Sequence, residues 1–212
     1  NKWTWKFKNN SFIIYLIFSS TTIPLTSKFN IYNYLTCLAI CNQLGFKIDD
    51  ILNKTKYIKA PKGRCEAYEV NNGFAVIDYA HTPDAEEKVI NAYNELKKNR
   101  VITIIGCGGD RDPKKRPIMG KIATNLSDYV IFTNDNPRTE KPENIMKDIL
   151  SGVTKNNYEV ILDRKEAIKK GIDIMEKNDI LLILGKGHEN YQIIGKTKYH
   201  LDDAEEVLNY KK

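Results

Sequence analysis

Four polar clusters stand where apolar runs end. The run Val101-Ile102-Thr103-Ile104-Ile105 breaks into Gly106-Cys107-Gly108-Gly109-Asp110-Arg111-Asp112-Pro113, followed by Lys114-Lys115-Arg116-Pro117. Three glycines in such a loop are expected to let the backbone turn sharply and to leave N–H groups uncovered, while the interleaved acids and bases suit a zwitterionic or phosphorylated ligand. The other clusters are Asp78-Tyr79-Ala80-His81-Thr82-Pro83-Asp84, Asn134-Asp135-Asn136-Pro137-Arg138 and Gly185-Lys186-Gly187-His188-Glu189. Arg138 brings a planar five-donor group suited to clamping a carboxylate. Each cluster also has a plain structural reading: Thr82 and Pro83 make a helix cap and first turn, and Asn134 to Pro137 is a good turn sequence. The glycine loop lacks the Gly-x-Gly-x-x-Gly spacing of a dinucleotide site. Gly195-Lys196-Thr197 is not the end of a phosphate loop, because Asn190 stands where the first glycine is required. His200 reads as structural or surface.

These clusters need a scaffold that brings strand ends together. Strands are expected at Val101–Ile105, Tyr129–Thr133, Tyr158–Leu162 and Ile180–Leu184, and helices at Pro83–Lys97, Pro117–Asn125, Glu143–Gly152 and Lys165–Glu176. Strands separated by helices of that length imply parallel crossovers, so the strand ends emerge on one edge and the clusters converge. Arg64–Val70 and Gly73–Ile77 read as a hairpin around Asn71-Asn72-Gly73. Tyr191–Ile194 and Lys198–Leu201 read as a second hairpin around Gly195, before a closing helix at Asp203–Asn209. Upstream, Trp3 and Trp5 in period-two spacing suggest strands. Phe29–Gly45 suggests an amphipathic helix with Tyr32, Leu35, Ala39 and Leu44 on its apolar stripe, and Ile48–Leu52 a shorter one. Lys59-Ala60-Pro61-Lys62-Gly63 is the one convincing linker. The expected fold is therefore α/β: a Rossmann-like, doubly wound, mostly parallel sheet with a C-terminal hairpin over residues 63–212, preceded by a separate segment, 1–62.

With 42% hydrophobic and 28% charged residues among 212, the chain has an ordinary globular composition, which argues against disorder. The formal charge of +6 comes from 33 basic and 27 acidic residues. The lysines scatter over helix faces, which points to a solvated surface and secondarily to acidic small molecules; no basic-aromatic module for nucleic acid is present. Cys37, Cys41, Cys65 and Cys107 lack zinc-type spacing, so no metal site is expected and buried thiols in a reducing cytoplasm are. The longest apolar run, Phe12 to Phe18, is far short of a membrane span. A chain that begins at Asn1 without methionine is expected to be a fragment lacking its true N-terminus.

Taken together and in this order, Asp78 to Asp84, Gly108-Gly109-Asp110-Arg111-Asp112 with Lys115-Arg116-Pro117, Asp135-Asn136-Pro137-Arg138 and Gly185 to Glu189 resemble the C-terminal part of the Mur ligases. The resemblance is strongest to members that add the third peptide residue to the peptidoglycan precursor. Phe29-Asn30-Ile31-Tyr32-Asn33 is similar to the end of the family's central ATPase domain, and Gly63-Arg64-Cys65-Glu66 to the domain junction. Ser27-Lys28, where the family usually has a glycine, and Cys65, at a frequent methionine, are mild departures.

The resemblance implies activation of a substrate carboxylate as an acyl phosphate by ATP and Mg²⁺, followed by attack of an amine. It implies a cytoplasmic enzyme acting on UDP-N-acetylmuramoyl-dipeptide, without nucleic acid or membrane insertion. Asp135-Asn136-Pro137-Arg138 marks the meso-diaminopimelate-adding version. Arg111, Asn136, Arg138, Gly185 and Glu189 match the positions that hold diaminopimelate, whereas Asn30, Asn33, Arg64, Asp78 and His81 match positions near the nucleotide. Two guanidinium groups can answer the distal carboxylate, and Glu189 with a glycine carbonyl its ammonium. The family's phosphate loop, Mg²⁺-holding residues and modified lysine are expected upstream of this stretch, so the isolated chain is expected to bind weakly and not turn over. Two other readings are a folylpolyglutamate-synthase-like ligase and a non-catalytic Rossmann-like binding module. The folate enzymes share the architecture but would not be expected to combine Asp-Asn-Pro-Arg with Gly-Lys-Gly-His-Glu.

Overall fold

Period-two sequence at the start of the chain pairs into an antiparallel meander of β1 (Thr4–Lys8), β2 (Ser11–Tyr15) and β3 (Ser20–Ile23), with Trp5 opposite Ile14. The computed structural model describes residues 4–8, 11–15 and 20–210; Trp3 lies outside them. Two compact units divide between Pro61 and Lys62. In the first, α1 (Lys28–Gln43) stops at Gly45, whose φ of +91° suits glycine alone, and α2 (Ile48–Lys54) runs into a 3₁₀ turn at Thr55–Tyr57.

The inward face of α1 differs from the expected stripe. Asn30, Ile31 and Tyr34 are buried, while Tyr32, Ala39 and Leu44 are exposed and Leu35 half-buried. Apolar residues occupy both sides of this helix, so periodicity alone does not say which side packs. Burial follows the Tyr34 hydroxyl, which lies 2.6 Å from Thr55 Oγ1. Cys37 is consequently exposed and Cys41 half-exposed, in contrast to the expectation of buried thiols; Cys65 and Cys107 are buried.

The second unit begins with the hairpin β4 (Glu66–Val70) and β5 (Gly73–Asp78). Asn71 and Asn72 both take left-handed φ, 49° and 61°, the signature of a two-residue primed turn, and Gly73 opens the return strand. Thereafter α3 (Pro83–Asn94), β6 (Val101–Ile105), α4 (Lys115–Leu126), β7 (Tyr129–Phe132), α5 (Pro142–Leu150), β8 (Tyr158–Val160), α6 (Arg164–Asp173) and β9 (Ile180–Leu184) alternate. The sheet order is β4-β5-β9-β6-β7-β8, antiparallel only at β4.

Alternation along the strands splits the core in two. Val76, Ile105, Phe132, Leu182 and Leu184 pack with α3, α4 and α5 residues such as Ile90, Met119 and Ile149. Ile77, Ile102, Ile104, Ile131 and Ile183 face the other way, toward Ile168 and Ile172 of α6 and Val207. Strands buried on both faces read as continuous apolar runs, and β6 and β9 are buried at every residue. The chain ends in the hairpin β10 (Tyr191–Ile194) and β11 (Thr197–His200) and then α7 (Asp203–Tyr210). The doubly wound, mostly parallel sheet and the C-terminal hairpin are those expected from sequence.

Candidate amino-acid-binding site

Because β5, β9, β6 and β7 are adjacent and parallel, the loops that leave their C-terminal ends lie side by side. The glycine loop after β6 does not behave as expected. None of Gly106, Gly108 and Gly109 has positive φ; the left-handed residue is Asp110, at 53°. The Gly109 N–H is covered, donating to Asn136 O at 2.9 Å. Close packing is what requires glycine here, since a Cβ on Gly109 would stand 1.9 Å from Pro137 O.

The glycine loop and the loop after β7 are stapled together. Asp110 accepts from the Thr139 N–H at 3.2 Å and from its hydroxyl at 2.8 Å. Arg116, buried in the first turn of α4, donates to both Glu140 oxygens at 2.8 and 2.9 Å, to Asp148 at 2.9 Å and to Gly108 O at 3.2 Å. The Arg116 hydrogen bonds hold the Glu140 carboxyl below the usual range, helped by the Asp110 N–H. Arg138 stands at φ 52° and gives Nη1 to Gly109 O at 2.8 Å, while its Nε and Nη2 make no hydrogen bond among the described residues. A Cβ on Gly108 would lie 2.9 Å from Arg138 Nη1 and 3.7 Å from Arg111 Cγ, so both arginines border one glycine. Arg111 is exposed and without an ion pair among the described residues.

Asn136 joins this loop to the one after β9. Its Oδ1 accepts from the Ile193 N–H at 2.9 Å and from Lys186 Nζ at 3.2 Å, and its Nδ2 donates to Glu189 Oε2 at 3.0 Å. Glu189 Oε1 has no partner among the described residues. Gly185, at φ 109°, donates its N–H to Asp78 O at 3.1 Å, a backbone direction that leaves its own carbonyl unpaired among the described residues. Arg138, Arg111, Asn136, Gly185 and Glu189 therefore share one sheet edge, with unused cationic donors on one side and unused anionic or carbonyl acceptors on the other.

Beneath the edge, Arg164 and Asp203 form a fully buried ion pair at 2.7 and 2.8 Å. Arg164 also donates to Leu184 O at 3.0 Å and Asn134 O at 3.4 Å, tying the exits of β9 and β7. Burial alone would pull the guanidinium pKa down, but Asp203 overrides this and raises it.

The residues expected near a nucleotide fall in both units. Asn30 and Asn33 lie on α1 of the first; Asn33 is exposed, and Asn30 is buried with Nδ2 unpartnered among the described residues. Asp78 is employed structurally: Oδ2 accepts from the Cys65 N–H and Oδ1 from the Ala80 N–H, at 2.8 and 2.9 Å. Arg64 and His81 gather on Tyr79, whose ring lies 4.9 Å from the Arg64 guanidinium, 4.5 Å from His81 and 5.1 Å from His188. Tyr79 and His188 stand inside two of the polar clusters seen in the sequence, and their ring contacts join them to Arg64 and His81. Arg116 stands out in the sequence only within Lys115-Arg116-Pro117, and Glu140 and Arg164 not at all, since their partners are distant in the chain.

The chain matches the model of the family described as "Mur ligase, glutamate ligase domain" over residues 63–187. It is 52% identical over 184 residues to a UDP-N-acetylmuramoyl-L-alanyl-D-glutamate–2,6-diaminopimelate ligase of Fusobacterium nucleatum, covering 85% of this chain and 38% of that protein. To such a ligase of Clostridium acetobutylicum it is 45% identical over 193 residues, covering 90% and 40%. A solved structure of an enzyme with that name superposes with a TM-score of 0.75 at 36% identity, covering 94% and 42%. The chain thus spans about two fifths of the length of the relatives it matches.

Proposed function

The chain belongs to the Mur ligase family, and on that premise we propose that it supplies the amino-acid-binding part of an ATP-dependent ligase that joins meso-diaminopimelate to UDP-N-acetylmuramoyl-L-alanyl-D-glutamate in peptidoglycan synthesis. In this reading residues 63–212 are the amino-acid-binding domain and residues 1–62 the end of the central ATP-binding domain. The setting is the cytoplasm, where nucleotide-linked precursors are made; no helix among the described residues is long and apolar enough to cross a membrane.

One observation carries the substrate assignment. Arg138 keeps Nε and Nη2 open on one side of Asn136, and Glu189 keeps Oε1 open on the other. A zwitterionic carbon bearing one carboxylate and one ammonium answers both, the guanidinium taking the carboxylate and Glu189 with the Gly185 carbonyl the ammonium. A lysine side chain has no carboxylate to offer Arg138 or Arg111.

Nucleotide binding fits the Tyr79 cluster, where the exposed Arg64 guanidinium lies over the ring with no hydrogen-bond partner among the described residues, leaving its donors for phosphate oxygens. When bound, ATP supplies the phosphoryl group that activates the substrate carboxylate. No group of three or more His, Cys, Asp or Glu side chains that could hold a metal occurs among the described residues, and in this reading Mg²⁺ is held by residues outside this stretch. Calorimetric titration with meso-diaminopimelate and with L-lysine tests the substrate assignment. Preference for meso-diaminopimelate is expected, and equal affinities would sink it.

A further inference from the structure

Lys186 is the one residue of the loop after β9 whose side chain has no exposed surface and is also charged. Gly185 and Gly187 on either side of it take φ of 109° and 52°, and a Cβ at Gly187 would meet Tyr79 Cβ at 2.7 Å and Gly63 O at 2.8 Å. The backbone is thereby turned so that the lysine runs inward. An ammonium group taken out of water is costly unless it is paired and hydrogen-bonded, so its place demands a compensating arrangement. Its neighbours are two residues already assigned to the amino acid: Asn136 Oδ1 at 3.2 Å and Glu189 Oε2 at 3.5 Å, with the Tyr191 ring centroid at 5.7 Å.

We propose that Lys186 is a positioning and selectivity residue of the amino-acid site, acting through Glu189 and Asn136; the proposal rests on the assignment of this edge to diaminopimelate. Two donors, Lys186 Nζ and the Ile193 N–H, converge on Asn136 Oδ1 and so fix which way its amide faces. The Asn136 Nδ2 group is then committed to Glu189 Oε2, which Lys186 also holds. Only Oε1 remains for a ligand, and it is offered in one direction.

The same geometry bears on choice between amines. An incoming ammonium must share Glu189 with a resident one, in a site bordered by Arg138 and Arg111. An amine that brings its own carboxylate offsets the Lys186 charge and answers the arginines, whereas the lone ammonium of a lysine side chain meets that charge uncompensated, with Asp135 and Glu189 among the acids that face Lys186. Lys186 thus favours diaminopimelate twice, by aiming Glu189 and by repelling the competitor.

The test is a set of titrations of the protein with meso-diaminopimelate and L-lysine, for wild type, Lys186→Met, Glu189→Gln and the double variant, read by calorimetry or NMR shifts. Lys186→Met is expected to reduce the preference for meso-diaminopimelate over lysine at least tenfold, and to cost less than twofold more once Glu189→Gln is present. A preference within twofold of wild type, or equal losses in both backgrounds, overturns the proposal. Absence of any saturable response of the wild type to meso-diaminopimelate overturns the site assignment itself, and the proposal with it. Should Lys186→Met fail to fold, wild-type spectra decide. The Asn136 side-chain amide and Lys186 ζ-ammonium resonances must shift with meso-diaminopimelate along its saturation curve, and static resonances count against the role.

Discussion

Gly109 lies so close to Pro137 that a Cβ on the glycine would stand 1.9 Å from the proline carbonyl oxygen. The loops that carry Arg111 and Arg138 are in backbone contact there, with the Gly109 N–H on Asn136 O and the Gly109 carbonyl under Arg138 Nη1. Gly109→Ala must push them apart. We predict a loss of about 1–3 kcal/mol in stability, as for other overpacked sites, with weakened meso-diaminopimelate binding. An unchanged denaturation midpoint together with unchanged affinity would show that the contact is soft.

Under the proposed assignment, loss of the Arg138 guanidinium should be felt by one ligand and not the other. Arg138→Ala is predicted to weaken meso-diaminopimelate by more than tenfold, on the order of 2–4 kcal/mol for a lost charge-assisted contact, and to leave lysine affinity nearly as it was. Calorimetry on the variant decides. A loss below about tenfold counts against Arg138 as the carboxylate partner.

Stability should depend strongly on the Arg164–Asp203 pair, in which both side chains are fully buried. Asp203→Ala strands a guanidinium and is predicted to cost about 3–5 kcal/mol in urea unfolding. Replacing both partners by apolar residues should recover part of that, because no unpaired charge then remains. If the single and double variants unfold alike, the pair itself is not what Asp203 contributes.

Glu86 offers a pH-dependent test. It lies fully buried on α3, on the face that carries Val89, Ile90 and Tyr93, and neither carboxyl oxygen has a hydrogen-bond partner among the described residues. Burial raises its pKa well above the ordinary glutamate value. The folded state therefore holds a proton that the unfolded state gives up. Stability from this group is fully present below the unfolded pKa and is lost as pH rises through the raised, folded one. Glu86→Gln should be nearly neutral at pH about 4 and stabilising by about 1–3 kcal/mol at pH about 7.5. Denaturation at the two pH values measures it, and an advantage that shrinks toward neutral pH would contradict the account.

Legibility in the sequence followed burial and sequence distance. Val101–Ile105 and Ile180–Leu184 are buried on both faces and announce themselves as apolar runs, so the sheet and its polar edge could be read directly. Helix ends were less visible: α3 stops at Asn94 although the polar pattern continues to Lys97. The face of α1 was misjudged because Tyr32 and Leu44 are as apolar as the residues that pack. Least visible were the buried charges. Arg116 meets Glu140 24 positions away, Arg164 meets Asp203 39 away and Lys186 meets Asn136 50 away, pairings that no local pattern marks. Glycines were recognised but assigned the wrong duty, since close approach and a left-handed turn leave the same mark in a sequence.

Arg138 also exchanges backbone hydrogen bonds with the C-terminal hairpin, its N–H to Ile193 O at 3.0 Å and its carbonyl from the Gly195 N–H at 2.7 Å. The left-handed conformation of Arg138 is thus braced by a segment more than fifty positions away in the chain. For protein engineers the transferable unit is a cassette: residues 134–138 travel with the hairpin at 191–200. Grafting the first alone onto a lysine-adding scaffold would install an arginine without the brace that aims it.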